Sequence, residues 1–313
     1  DVSLIFQGVS DDLTIAMSAS TTAKPVYNLS FAGCGFLGIY HLGAAACIVK
    51  HGQGLLKNVE RYGGASAGSL VAATLLCGRD KLQVRKGEIK KKPLGALTPG
   101  YNLIVPLEKF LREMLPEDAH DIAKDRLFIS VTNMRTKKNE VFSEYESREE
   151  LIQCLLASCF IPAYAGFRLP KIRNQKYADG GITDNLPKFE EGQTISVSPF
   201  SGGQNICPKD KNGLGMYINV VNQEFQVNLH NGARVLHALF PPKRRTLESY
   251  YQKGVRDAER FLIEEDMFER GDILWYETST WQSTSFTMQN SSLVVSGLRQ
   301  PVVLDFRKQI YHI

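Results

Sequence analysis

Several signatures that would place a chain at once are missing here. None of the six cysteines forms a Cys-x-x-Cys pair, which removes zinc ribbons and thioredoxin-like redox sites from consideration. Cys34, Cys47, Cys77, Cys154, Cys159 and Cys207 sit largely within apolar runs, where a free thiol packs as a small hydrophobe. They read as reduced, and the protein as intracellular and cytoplasmic. No stretch reaches the roughly 18 consecutive apolar residues of a spanning helix, so any membrane association is expected to be peripheral. The N-terminus carries no basic region followed by an apolar signal core. Charge of one sign is scarce as well: 37 Lys and Arg face 33 Asp and Glu. A net charge of +4 suits an anionic membrane surface but falls short of a nucleic-acid footprint. No metal, cofactor or nucleic-acid partner is expected.

What is present is a chain of 313 residues, 43% hydrophobic and 22% charged, enough for one sizeable core. Residues 1–25, rich in Ser, Thr and Ala and without a sustained period, are expected to be a disordered leader or processing remnant. Tyr27 to Phe31 alternates like a strand, glycines follow, and Ile39 to Val49 reads as a helix. A second unit comes at once: a strand from Val59 to Tyr62, the glycines 63 and 64, then Leu70, Val71, Thr74 and Leu75 at helical spacing. Two successive strand-turn-helix units predict an α/β fold with a parallel sheet. The basic stretch Lys81 to Lys92 reads first as a solvated face and second as a contact for lipid headgroups. Pro106 is expected to open a helix at its first position. Leu127 to Val131 and Glu140 to Phe142 read as strands, and Ser147 with Glu150 as a capping box. Thr194 to Val197 is a further strand, and Leu247 to Leu262 an amphipathic helix expected to pack on the sheet. Residues 270–313 form a separate C-terminal extension, with strand-like runs at Leu293 to Val295 and Val302 to Leu304.

Two glycine-bearing turns carry the chemistry. Gly64-Ala65-Ser66-Ala67-Gly68 is a Gly-x-Ser-x-Gly set between a strand and a helix, the context in which a serine is projected as a nucleophile. Gly64 and Gly68 permit the tight turn, and the following helix would aim its positive end at Ser66. Gly33-Cys34-Gly35-Phe36-Leu37-Gly38 is a Gly-x-Gly-x-x-Gly between the first strand and helix. That is also the dinucleotide fingerprint, with Glu60 as a possible ribose-binding acid. A second glycine elbow right after Glu60 is foreign to a dinucleotide fold, so the loop is read instead as an oxyanion hole built from Gly33, Cys34, Gly35, Phe36 and Gly38. A serine needs a base. His230 and His237 follow it in hydrolase order but fall in a helical pattern, while His41, His51, His120 and His312 have no distinguishing context. Asp179, followed by Gly180 and Gly181, is the other candidate, although Asp-Gly is also a common turn. The residues leave this choice open.

Together these motifs resemble the patatin-like phospholipase family, where a glycine loop, a Gly-x-Ser-x-Gly elbow and a distal Asp-Gly-Gly occur in this order. From Tyr27 to about Glu269 the chain is similar to the adiponutrin and adipose triglyceride lipase branch, through segments such as Phe31 to Tyr40, Cys159 to Pro162, Asp179 to Pro187 and Val197 to Gly202. The resemblance implies a three-layer patatin-like fold over residues 26–269, with a mostly parallel sheet flanked by helices. It implies a Ser66–Asp179 dyad supported by Gly180 and Gly181, and lipid esters (triacylglycerol, retinyl ester or phospholipid) as substrates at a membrane or lipid-droplet surface. Transfer of the acyl group to an alcohol, or lipid binding without catalysis, are the competing expectations. The chain departs from the branch in a shorter segment between Leu76 and Gly95.

Overall fold

The computed structural model describes residues 25–78, 104–210 and 215–270, with three short strands beyond them. The basic stretch from Lys81 to Lys92, most of the segment expected to be shortened and residues 1–24 lie outside the described residues. The chain begins with β1 (Tyr27–Phe31), α1 (Gly38–His51), α2 (Gln53–Lys57), β2 (Val59–Ala65) and α3 (Ala67–Cys77). Next come α4 (Ile104–Met114), α5 (Ala119–Ala123), β3 (Leu127–Asn133), β4 (Asn139–Phe142) and α6 (Arg148–Ser158). Then follow β5 (Lys171–Ile172), β6 (Gln175–Asp179), β7 (Gln193–Val197), the hairpin β8 (Tyr217–Val220) and β9 (Gln223–Gln226), α7 (Leu229–Leu239) and α8 (Arg244–Glu264). Further along the chain β10 (Phe286–Gln289), β11 (Ser292–Val295) and β12 (Val302–Leu304) pair antiparallel.

The main sheet runs β5-β6-β3-β2-β1-β7, with β4 on the other edge of β3. Strands β7, β1, β2 and β3 are mutually parallel, and β4 and β6 run against β3. This is the expected α/β fold, a mostly parallel sheet flanked by helices. Its strands need cover on both faces. Leu29 and Phe31 are wholly buried within the large apolar core that α1 and α3 share. On the opposite face of β1 the segment after Asp179 closes the sheet: Ser30 Oγ donates to the Pro187 carbonyl at 2.6 Å, and Asn28 Nδ2 to that of Glu191 at 2.7 Å.

One expectation changes. Pro106 lies in the third position of α4, not the first; the first turn has no intrahelical acceptors for its N–H groups, so proline is tolerated there too. Helix α8 lies along α1. The two helices cross at glycines: a Cβ on Gly43 would stand 2.1 Å from the Tyr251 carbonyl oxygen, and one on Gly254 2.0 Å from that of Tyr40. The apolar stripe of α8 is therefore buried against another helix. The capping box forms at α6, where Ser147 Oγ accepts the Glu150 N–H, although the Glu150 carboxylate reaches the N–H of Glu146, one residue before the cap.

Candidate active site

Strand β3 explains how two distant motifs meet. Along one edge it pairs with β2 as far as Ala65, opposite Ser130. At the next residue, Val131, the partner becomes Asp179, the last residue of β6. Because β4 occupies the other edge of Ile129 to Thr132, β2 and β6 must share the first edge. They run in opposite directions and end facing each other. Ser66, leaving β2, and Asp179, leaving β6, are thus brought together although 113 positions separate them (179 − 66).

Ser66 turns the chain sharply, with φ 51° and ψ −129°, a region that L side chains rarely adopt. The turn is possible because neighbouring backbone comes very close: a Cβ on Gly68 would lie 2.1 Å from the Phe31 carbonyl oxygen, and one on Gly64 2.6 Å from the Gly68 carbonyl carbon. The Ser66 N–H donates to Ser158 Oγ at 2.8 Å, and that hydroxyl donates onward to the Ser130 carbonyl at 2.7 Å. The residue itself is partly accessible to solvent.

Asp179 is 3% exposed. Its Oδ1 accepts the Gly181 N–H at 2.7 Å, whereas the buried Oδ2 makes no hydrogen bond of ordinary geometry among the described residues. Burial pushes the carboxyl up to about 6, against smaller opposing effects of the Ser66 hydroxyl and the Gly181 N–H. Thr132 Oγ1 donates to the Asp179 carbonyl at 2.7 Å and holds the strand end in place. Gly180 is required by proximity, since a Cβ there would meet the Ser130 carbonyl oxygen at 2.1 Å.

The glycine loop abuts the serine: a Cβ on Gly33 would lie 3.4 Å from Ser66 Cβ. Its amides divide into two groups. Gly33 N–H donates to the Asn185 carbonyl at 3.1 Å, and Gly38 N–H to the Gly35 carbonyl. Both have backbone acceptors within the fold. The N–H groups of Cys34, Gly35 and Phe36 have no acceptor among the described residues, and neither has that of Ala67 at the start of α3. Gly35 has φ +51°, and its α-carbon lies against the Ala238 carbonyl at the end of α7.

The other candidates fall away from this cluster. His237 Nδ1 is engaged with Tyr250 Oη at 2.9 Å, and His230 lies on the solvent side of α7. His41 is buried with Nε2 on the Ala32 carbonyl at 2.8 Å, and desolvation lowers it to about 4. Glu60 lies near the beginning of β2, whereas the glycine loop follows the end of the parallel β1. An acid at that opposite end of the strands cannot reach a ribose bound at the loop. Cys34 and Cys159 line the cluster, but burial and then the Asp179 charge push both thiols well above their usual range. Three residues had been given no role: Ser158, Ser130 and Asn185. Asn185 Nδ2 donates to the Gly33 carbonyl at 3.1 Å, and its Oδ1 crowds the α-carbons of Gly33 and Gly181, so it bridges the two glycine turns. Its place in the Asp179 to Pro187 segment was the available signal.

Residues 29–188, which include all three motifs, match the model of the patatin family, described as patatin-like phospholipase. Human patatin-like phospholipase domain-containing protein 4 is 46% identical over 249 residues, covering 77% of this chain and 98% of that protein. The chain belongs to the patatin-like phospholipase family. Within that family, human patatin-like phospholipase domain-containing protein 2 is 41% identical over 254 residues, 79% of this chain and 50% of the relative. The human omega-hydroxyceramide transacylase is 38% identical over 242 residues, 75% of this chain and 46% of the relative. The chain thus spans about half the length of these two. Its relatives are lipid hydrolases and acyltransferases by name, and no helix among the described residues is long and apolar enough to cross a membrane.

Proposed function

We propose that this patatin-like protein cleaves carboxylic esters of lipids through a dyad of Ser66 and Asp179, working at a membrane or lipid-droplet surface. The observation that carries this reading is the buried Asp179 carboxylate, one oxygen of which has no hydrogen bond of ordinary geometry, beside the strained serine turn. An aspartate at its ordinary pKa is a weak base; one held near 6 by burial is matched to proton transfer at neutral pH. Asp179 takes the hydroxyl proton while Ser66 Oγ attacks the ester carbonyl. The resulting oxyanion is held by the uncommitted amides of Cys34, Gly35 and Phe36, with Ala67 after the nucleophile. Collapse breaks the ester C–O bond, and the alcohol leaves with the proton from Asp179. Water, deprotonated by Asp179, then attacks the acyl-Ser66 ester and returns the enzyme with a free fatty acid.

A second reading replaces that water with an acceptor alcohol, giving acyl transfer; the likeness to a protein named a transacylase favours keeping it. Triacylglycerol, retinyl ester and phospholipid are the substrates to compare. Turnover on this panel is expected to fall by on the order of 10⁴ or more in Ser66→Ala and by about 10²–10⁴ in Asp179→Asn. In the parent, kcat/KM should rise with pH through about 6 and level off above it. Labelling by a fluorophosphonate that persists in Ser66→Ala would overturn the assignment. Product analysis with and without added alcohol separates hydrolysis from transfer.

A further inference from the structure

Helix α7 is built inside out. Its polar residues face the protein: Asn231 is 5% exposed and Arg234 3%. Asn231 bonds to both the N–H and the carbonyl of Ser201, at 2.9 and 2.8 Å. Arg234 forms a two-pronged pair with Asp210, at 2.6 and 2.9 Å. The face turned to solvent carries Leu229, Val235, Leu236 and Leu239, continued by Phe240; Leu229 is 92% exposed and Leu236 60%. At 100° per residue these side chains form one stripe, opposite Asn231 and Arg234. A helix that buries an ion pair and presents leucines to water has its apolar side directed at something other than the core.

We infer that α7 docks this protein onto a lipid surface with anionic headgroups. Charge complementarity selects that occupant. Lys243, Arg244 and Arg245, all exposed, follow the stripe directly, the arrangement in which an interfacial helix sinks apolar side chains among acyl chains while cations meet headgroups. Position agrees with it. The last turn of α7 touches the glycine loop, its Ala238 carbonyl lying against the Gly35 α-carbon, and Tyr164 Oη donates to the Leu239 carbonyl at 2.9 Å. In the same loop Phe167 is 90% exposed. Docking on this side would therefore bring the lipid beside the loop that approaches Ser66. The inference extends the surface-acting reading above, but its test needs no turnover.

The test is flotation of the full chain with phosphatidylcholine vesicles, with and without phosphatidylserine. The parent and Ser66→Ala are both expected to bind, and more tightly when phosphatidylserine is present; binding by Ser66→Ala separates docking from catalysis. The double variant Leu229→Asp/Leu236→Asp should bind at least about tenfold more weakly. Lys243→Glu/Arg245→Glu, which spares the helix, should lose about fivefold per charge on phosphatidylserine vesicles alone. Unfolding curves establish that each variant is folded. Undiminished binding by the leucine variant, or absence of binding by the parent, overturns the inference. So does a parent dimer that the leucine variant dissociates, which would give the face to a second copy of the chain.

Discussion

Ser66 and Asp179 lie side by side, yet the fold holds each in an unfavourable state of a different kind. At Ser66 the strain is conformational: a positive φ, imposed by glycines packed against backbone, at a position solvent can reach. At Asp179 the backbone is ordinary, with φ −48° and ψ 129°, and the strain is electrostatic, a carboxylate buried away from water. The contrast teaches that one fold can hold two neighbouring side chains in unfavourable states by two different devices. They are coupled only where the Ser66 hydroxyl meets the carboxyl.

Four changes would break or sharpen this contrast. Gly68→Ala should have the largest effect: its new Cβ would meet the Phe31 carbonyl oxygen, so the elbow must open at a cost of about 3 kcal/mol or more, measured by denaturant unfolding. Asp179→Asn should stabilise the protein, and in a pH-dependent way. With the folded pKa raised from 3.8 to about 6, the native state holds the proton more tightly. The parent's stability from this group is complete below pH 3.8 and lost as pH rises through 6. Asparagine mimics the protonated form, so the variant should gain up to about 3 kcal/mol at pH 8 and nothing near pH 3. His41, lowered from 6.5 to about 4, works in the opposite sense over an overlapping range but cancels in the difference between the two proteins. Ser158→Ala should cost about 1–2 kcal/mol by leaving the Ser66 N–H without its acceptor. The smallest change, Ser66→Gly, should relieve the positive φ and add about 1 kcal/mol, which Ser66→Ala should not; equal melting temperatures for these two variants would argue against conformational strain.

The helical repeats and both glycine turns could be read because they are local: α1, α3, α6 and α8 announce themselves by the spacing of their apolar residues. Strand β6 could not, since Gln175 to Asp179 is short and its pairing with β3 is a contact between distant segments. The same holds for β8 and β9, whose residues are largely polar or exposed. The bond between Ser158 and the Ser66 N–H has no trace in spacing. Helix α7 shows the limit most clearly. Its period was legible, but which face turns inward depended on Asp210 and Ser201 waiting across the interface.

By itself the sequence determined the α/β class, the family likeness, the position of the serine elbow and the glycine loop, because each is a property of consecutive residues and the backbone geometry they permit. The tertiary structure decided which amides of the loop remain uncommitted, which side of α7 meets solvent, and that Asp179 rather than a histidine lies beside Ser66. That last point follows from β2 and β6 ending against each other on one edge of β3, an arrangement that depends on strand pairing between distant segments.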